Sequence, residues 1–116
     1  MRLHIEGQRT WLAPHLVGWI ADRLEALNTP DEDIYEARVT FARQRRREVA
    51  RIQLLLAGKS LQVTQHGETP DAAIRAALQM IQRALHNVRA ARRARVPRPM
   101  AQDAGLTYGP SAAGDA

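Results

Sequence analysis

Apolar residues recur along this chain with two periods, and the order of these periods limits the folds that it can adopt. Polar and apolar residues alternate in four segments, as in strands with one buried face. These segments are residues 2–8, 34–43, 50–56 and 61–66. Residues 12–27 and 70–95 instead have apolar residues three or four positions apart, as in amphipathic helices. The sequence therefore predicts the order β-α-β-β-β-α.

Turn and cap residues mark where the two helices begin and end. A turn cluster at residues 28–31, which includes Pro30, predicts the end of the first helix. The second helix starts with a hydroxyl N-cap, a proline in the first turn and a carboxylate near the positive end of the helix dipole. These residues are Thr69, Pro70 and Asp71. Two prolines shortly after residue 95 predict the end of this helix.

The strands from Ile34 onward indicate an antiparallel meander, because short connections join them. Gly58 is suited to the positive φ that a tight turn between two of these strands requires. The residues expected on the buried side of the second strand are Tyr35, Ala37, Val39 and Phe41. Trp19 belongs to the apolar stripe of the first helix and is expected in the core.

The fold expected from these elements is an α+β domain in residues 1–95, a four-stranded sheet with two helices packed on one face. Since each element has one apolar face, the other face of the sheet is expected to remain polar. Its residues are Arg38, Thr40, Arg51, Gln53, Gln62, Thr64 and His66. Residues 96–116 contain glycine, proline and small residues, and are expected to form a disordered tail.

The net charge of +5 is unevenly distributed along the chain. Residues 1–37 hold three arginines and seven acidic residues, a net charge of −4. Residues 38–98 hold fourteen basic and three acidic residues, a net charge of +11, and residues 99–116 add −2. Arginine accounts for all the basic residues except Lys59, which suits bidentate phosphate contacts and stacking on bases. A polyanion is the expected partner, since each cation that neutralises a phosphate releases counterions.

The second helix has a polar side that is rich in arginine. Spaced three and four positions apart are Arg75, Gln79, Gln82, His86, Arg89 and Arg93, flanked by Arg83, Arg92 and Arg95. No Asp or Glu lies between Arg75 and Arg98, so the i,i+4 ion pairs of an ordinary soluble helix are not expected. A solvated face without a partner is the alternative. The predicted RNA contacts on this helix are Arg75, Gln79, Arg83, His86, Arg89, Arg92 and Arg93.

A second basic cluster lies in the connection between the second and third strands, residues 44–47, and continues to Arg43. Such a loop is suited to reach phosphates across a groove. A flexible turn that only aids solubility is the alternative. Because both clusters fit the same ligand, we expect one arginine-rich face that binds structured RNA. Its further predicted contacts are Arg45, Arg46 and Arg47 in the loop, and Arg38 and Arg51 on the sheet.

The residue types disfavour several other functions. The chain has no cysteine, and its four histidines, at positions 4, 15, 66 and 86, lack the spacing of a metal site. Ser60 and Ser111 lack the context of a catalytic nucleophile, and there is no glycine-rich phosphate loop. We therefore expect a protein that is not an enzyme and that uses no cofactor, metal or small-molecule substrate.

The sequence gives no indication of a membrane protein. No apolar run approaches the roughly 20 residues that a membrane-spanning helix requires. The alternating N-terminus, Met1–Glu6, differs from the continuous apolar segment of a signal peptide. A cytoplasmic protein with no membrane partner, monomeric when free, is expected.

Three strings resemble the ribosome hibernation-promoting factor family, also called ribosome-associated inhibitors or sigma-54 modulation proteins, over about residues 1–95. Met1–Gly7 resembles the family's opening strand, Ile20–Leu27 the end of its first helix, and Thr69–Arg75 the start of its second. The resemblance implies binding to the small ribosomal subunit and its rRNA near the decoding centre. A protein bound there would occupy tRNA and mRNA positions and keep an idle ribosome silent.

The chain departs from this family's pattern on the second helix. Asp71 stands where the family usually has Tyr, and Arg75 where it usually has Asp. Arg83 matches the arginine of the family's Arg-Gln-Leu-Arg/Lys stretch, whereas His86 and Asn87 replace the usual basic pair. The family's long form has a second, dimerising domain, and ribosome dimerisation by this chain alone is not expected.

Two other functions fit the same residues. A general RNA-binding module is one, because β-α-β-β-β-α is close to the arrangement of double-stranded-RNA-binding domains. Such domains recognise the shape of the duplex and need only a few suitably placed basic residues. A protein-interaction module acting on a transcription or stress factor is the other. Charge reversal at Arg89 and Arg93 separates the hypotheses, because it would abolish ribosome binding but need not affect a protein partner.

Overall fold

The computed structural model describes residues 1–28 and 33–95, and its elements follow the predicted order. They are β1 Arg2–Gln8, α1 Pro14–Leu27, β2 Ile34–Gln44, β3 Arg47–Leu56, β4 Lys59–Gly67 and α2 Pro70–Arg95. The chain forms two compact units, the first covering residues 1–86 and the second beginning at Asn87. The tail expected at residues 96–116 lies outside the described residues.

The four strands form one sheet in the order β1-β2-β3-β4. β3 pairs antiparallel with both β2 and β4, which confirms the meander. β1 pairs with β2 in parallel, with Ile5 opposite Val39. A parallel neighbour needs a crossover connection, and α1 supplies it. The sheet is therefore mixed, in an α+β fold.

The core lies between one face of the sheet and the two helices. The sheet buries Ala37, Val39 and Phe41 on β2 and Ala50, Ile52, Leu54 and Leu56 on β3. The helices bury Leu16, Ile20 and Leu24 on α1 and Ala73, Ile74, Ala77, Leu78, Ile81 and Leu85 on α2. The opposite face of the sheet keeps its exposed polar residues, so both helices cover the same face.

The start of β2 differs from the expected alternation. Tyr35 is 58% exposed, whereas Ile34 is buried. The pairing register with β3 shifts between Ile34 and Glu36, and such an irregularity moves one residue out of the two-residue alternation. The expectation that Tyr35 lies on the buried side is therefore wrong, but it is correct from Ala37 to Phe41.

The start of α2 is fixed by a cap and by a close approach. The Oγ1 of Thr69 accepts a hydrogen bond from the backbone N–H of Ala72 at 3.0 Å, which confirms the predicted N-cap. Gly67, the last residue of β4, lies against this first turn, because a Cβ atom there would be only 2.6 Å from the backbone nitrogen of Ala73. The glycine therefore lets the helix begin directly on the end of the strand.

Candidate nucleic-acid interface

The open face of the sheet presents polar side chains in register across four strands. One row is His4, Arg38, Gln53 and Gln62, and the next is Glu6, Thr40, Arg51 and Thr64. Arg38 and Arg51 are both exposed, as expected for this face. Arg47 lies on the same face, because it is an even number of positions from Arg51 along β3. These three arginines therefore point to one side of the sheet.

Glu36 on the same face is bound by two arginines. Its Oε1 accepts a hydrogen bond from Arg2 Nη2 at 3.0 Å, and its Oε2 accepts one from Arg38 Nη2 at 2.9 Å. The hydrogen bond from Arg2, together with that from Arg38, holds the pKa of the Glu36 carboxyl below its ordinary value. The charge of Arg38 is thus partly neutralised. Arg51 forms no ion pair with any residue in 1–28 or 33–95.

The β2–β3 hairpin places two arginines at a tight turn. Gln44 pairs with Arg47, so the turn consists only of Arg45 and Arg46, and the four-residue connection that we expected is too long. The φ of Arg45 is 59°, a value that hairpin turns of type I′ or II′ require and that glycine usually provides. Both side chains are exposed, and neither has an ion pair within the described residues. The turn therefore offers two cations to solvent.

Arg43 lies outside this turn, and its guanidinium is close to a buried acid. Glu48, only 6% exposed, accepts a hydrogen bond from Thr10 Oγ1 at 2.8 Å, and its Oε2 lies 3.9 Å from Arg43 Nε. A buried carboxylate needs such partners. This cluster cannot be predicted from a local pattern, because Thr10 and Glu48 lie 38 positions apart. Arg43 therefore helps to stabilise the buried Glu48 at the end of the sheet, in addition to being part of the basic segment.

The outer side of α2 is the second polar surface of the first unit. Its exposed residues include Gln79, Gln82, Arg83 and His86. Arg83 forms no ion pair in the part of the chain that the structure describes. Because the inner side of the helix, with Ile74 and Ile81, packs on the sheet, the outer side faces away from the sheet's open face.

Arg75 is exposed on α2, but its charge is paired. Its Nε donates a hydrogen bond to Asp71 Oδ1 at 2.9 Å, forming an i,i+4 ion pair. Its guanidinium carbon also lies 4.7 Å from the centre of the Trp19 ring. The expectation that the helix lacks i,i+4 ion pairs is therefore wrong at Arg75, because the acid lies one turn before it. Arg83, unlike Arg75, has no such acid one turn before it.

The predicted contacts Arg89, Arg92 and Arg93 lie on the last turns of α2, in the second unit. Arg93 is exposed, and Arg89 and Arg92 are half-buried. The carboxyl end of a helix has a partial negative charge that basic residues complement. These arginines are thus placed where their charges also favour the helix itself.

Within residues 1–86 the predicted contacts divide between two faces. Arg38, Arg47 and Arg51 lie on the open face of the sheet, whereas Arg83 lies on the outer side of α2. The helix layer and the sheet lie between them, so a flat ligand on one face cannot contact both sets. The expectation of one arginine-rich face is therefore corrected to two opposite faces, with the Arg45–Arg46 turn at one end of the sheet.

Both tryptophans of the chain line one pocket of about 400 Å³ at the start of the two helices. Trp11, which precedes α1, is 77% exposed. Trp19 on α1 is half-buried, and the guanidinium carbons of Arg23 and Arg75 lie 4.9 Å and 4.7 Å from its ring centre. The pocket is also lined by His15, Thr69, Pro70 and Asp71. Trp19 is therefore a surface on which two arginines pack, and the expectation that it lies in the core is wrong.

The exposed histidines among the described residues do not converge. His4 and His66 lie on the open face of the sheet but on its two edge strands, His86 lies on the outer side of α2, and His15 lines the tryptophan pocket. No group of three or more His, Cys, Asp or Glu side chains in residues 1–28 and 33–95 is placed to hold a metal ion. None of the helices described here is both long enough and apolar enough to cross a membrane.

The model of the family described as sigma 54 modulation protein / S30EA ribosomal protein matches residues 3–93. The chain belongs to this family. Among solved structures, a ribosomal subunit interface protein from Coxiella burnetii is 13% identical with a TM-score of 0.71, over 78% of this chain and 99% of that one. The Protein Y N-terminal domain from Thermus thermophilus is 19% identical with a TM-score of 0.65, over 76% and 99%. A comparison with curated proteins found no match.

Family membership confirms the resemblance seen in the sequence and makes the protein a ribosome-associated factor. At 13% and 19% identity, the two solved structures show likeness of fold alone. The family match begins in β1 and ends near the end of α2, so it includes both polar faces.

Proposed function

We propose that this protein is a translation-silencing factor that binds rRNA of the small ribosomal subunit near the decoding centre. It occupies tRNA and mRNA positions there and keeps an idle cytoplasmic ribosome inactive without enzymatic chemistry. Family membership supports association with the ribosome. The similar protein from Coxiella burnetii is described as a ribosomal subunit interface protein, which agrees with this proposal.

The observation on which the proposal depends is the presence of unpaired arginines on two opposite faces. Arg51 lies on the open face of the sheet and Arg83 on the outer side of α2, and neither has an ion pair among the described residues. Phosphates attract both, since each contact releases counterions. In a cleft that is bounded by RNA on both sides, the arginines of both faces can contact phosphates at the same time. Folded rRNA of a ribosomal subunit offers such clefts, whereas an isolated duplex meets one face only.

The predicted contacts divide by the wall that they would meet. Arg38, Arg47 and Arg51 would contact one RNA wall from the sheet, with Arg45 and Arg46 reaching past its end. Arg75, Gln79, Arg83 and His86 would contact the other wall from α2, and the chain's further contacts would be Arg89, Arg92 and Arg93. Arg75 would act with a partly neutralised charge, because it is paired with Asp71.

A general double-stranded-RNA-binding module is the second candidate function. The three-stranded antiparallel meander followed by a helix, β2 to α2, is the arrangement that favours it. Such modules read shape across the grooves of one duplex. A duplex would therefore use the arginines of one face, and those of the other face would be dispensable.

Charge reversal on each face tests the proposal. Arg51→Glu and Arg83→Glu are each expected to weaken association with small subunits about tenfold or more, since a charge-assisted hydrogen bond contributes about 1.5–3 kcal/mol. Lys59→Glu is the matched control, because it changes the net charge equally at the exposed first residue of β4, outside both arginine sets. The measurement is comigration with 30S subunits or whole ribosomes in sucrose gradients, at low and at raised salt.

Three outcomes separate the candidates. Loss in both arginine variants but not in Lys59→Glu supports the two-walled ribosomal site. Loss in only one, with equal binding to a free RNA duplex, favours the double-stranded-RNA module instead. A wild-type protein that stays at the top of the gradient at both salt concentrations contradicts ribosome binding and favours a free RNA or a protein as the partner.

A further inference from the structure

The pocket formed by Trp11 and Trp19 lies beside the α2 face and shares Arg75 with it, whereas its two indole rings have no role in either arginine face. Trp11 leaves most of its indole ring in water, with 77% of the residue exposed. Large aromatic side chains lose favourable burial when they are left exposed, and an exposed aromatic in a concave site is typical of a binding surface. The pocket volume of about 400 Å³ lies within the range of small-molecule sites, about 300–1,000 Å³. It is therefore large enough for a planar ring system.

The polar atoms of this pocket indicate a neutral ring that can donate hydrogen bonds. Asp71 Oδ1 is occupied by Arg75 Nε, and the carboxylate retains further acceptor capacity toward the pocket. Asp71 and Arg75 line the pocket as an ion pair, so the lining has no excess positive charge for a phosphate or another carboxylate, whereas the Asp71 carboxylate can still accept a hydrogen bond. The exocyclic amino group of a nucleobase is a donor that fits this acceptor, and its ring offers a flat face to an indole.

The surroundings of the pocket favour a ligand that is attached to phosphates. Arg23, whose guanidinium lies 4.9 Å from the Trp19 ring centre, is exposed beside the pocket, and Arg9 is exposed two residues before Trp11. Neither forms an ion pair in residues 1–28 and 33–95. Cations around a neutral, aromatic pocket complement a strand whose bases are neutral and whose backbone is anionic.

From this chemistry we infer that the pocket receives one unstacked base of single-stranded RNA, with the base stacked on Trp11. Bases that are splayed out of RNA stack on aromatic side chains and on guanidinium groups, and both are present here. Asp71 accepts a hydrogen bond from the exocyclic amino group, while Arg9 and Arg23 lie near the flanking phosphates. The inference rests on the rRNA-binding function proposed above and adds a base-specific site to it.

The intrinsic fluorescence of the protein reports directly on this pocket, because the chain has only two tryptophans and both line it. The full-length protein is titrated with single-stranded oligoadenylate, with excitation at wavelengths that tyrosine does not absorb. Stacking of a base is expected to quench the indole emission. An abasic oligomer with the same number of phosphates is the matched ligand control, and free adenosine monophosphate separates a loose nucleotide from a base in a strand.

Trp11→Ala is expected to weaken oligoadenylate binding about fivefold to a hundredfold, the range found for one stacked base. Trp11→Phe keeps an aromatic face and is expected to retain most of the affinity. Folding is not at issue in these variants, because the side chain at this position is largely exposed. The same Trp11→Ala protein is then compared with wild type for ribosome comigration, where a weaker association is expected.

The outcomes distinguish this inference from the proposed function. Equal quenching by the abasic oligomer, or equal affinity for free adenosine monophosphate, would overturn the assignment to a base in an RNA strand. Unchanged oligoadenylate binding by Trp11→Ala would also overturn it, even if the wild-type protein comigrates with ribosomes. If instead the wild-type protein fails to bind ribosomes but loses oligoadenylate affinity on Trp11→Ala, the base pocket stands and the ribosomal function does not.

Discussion

At the scale of single residues, Glu36 shows how an acid can organise a basic surface. Arg2 and Arg38 come from different strands and meet on its two carboxylate oxygens. The side chain of Glu36 is only 14% exposed, whereas those of the two arginines are 80% and 53% exposed. The acid therefore orients Arg38 on the open face and lowers its effective charge.

The pKa of the Glu36 carboxyl provides a test of this arrangement. Hydrogen bonds from Arg2 and then from Arg38 lower it, so Glu36 stabilises the fold at pH values above its unfolded-state pKa, and this contribution is lost as the pH falls through the lowered, folded-state pKa. Carbon-13 NMR is expected to show Glu36 titrating below the ordinary range for glutamate. Arg2→Ala should raise the pKa toward that range, and Lys59→Ala should leave it unchanged. An ordinary pKa in the wild-type protein would contradict the two hydrogen bonds.

The limits of prediction from sequence are clear at two residues. The period of the apolar stripe places Trp19 on the inner side of the first helix, but its contact with Arg75 depends on how two helices meet, and Arg23 packs on it from one turn later in the same helix. The pattern predicts that Arg75 is exposed, but the absence of acids after Arg75 does not exclude its ion pair with Asp71, which lies one turn before it. Long-range partners such as Thr10 and Glu48 leave no local signal at all.

At the scale of secondary-structure elements, two glycines make opposite contributions. Gly18 lies within α1, where an added Cβ meets no atom within 4 Å among the described residues. Gly67 ends β4, where an added Cβ would lie 2.6 Å from the backbone nitrogen of Ala73 and 3.0 Å from Ala72. The same substitution should therefore have opposite effects at these two positions.

Gly18→Ala is expected to raise the free energy of unfolding by about 0.5–1 kcal/mol, because it lowers the backbone entropy of the unfolded chain. Gly67→Ala is expected to lower it by about 1–3 kcal/mol, because backbone atoms of α2 must move. Urea unfolding followed by circular dichroism measures both. A stabilising Gly67→Ala would show that α2 does not begin against the end of β4.

The order and type of the elements could be predicted because their periods differ and their caps are local, as at Thr69. The parallel pairing of β1 with β2 could not be read from alternation, since a strand has the same pattern in either direction. The irregularity at Ile34–Glu36 cannot be read from the sequence for a similar reason, because it changes the pairing with β3 without changing the residue types. The division of the candidate site between two faces could not be predicted, because it depends on how the strands and helices pack together.

At the scale of the whole molecule, the charge is distributed by face as well as by position in the sequence. Residues 38–98 have a net charge of +11, but the fold divides Arg51 and Arg83 between opposite sides of the first unit. Side chains that are far apart and share no partner contribute independently to binding. The two faces should therefore act as separate, additive sets of phosphate contacts when the protein sits between two RNA walls.

The salt dependence of ribosome binding tests this additivity. Each phosphate contact adds about one unit to the slope of log affinity against log salt, so Arg51→Ala and Arg83→Ala should each reduce the slope by about one. The double variant should reduce it by about two, and Lys59→Ala should not change it. The measurement is the affinity for purified small subunits at several salt concentrations. A double variant no worse than one single variant would mean that only one face contacts RNA, because the arginine on the other face would then have no phosphate to release counterions from.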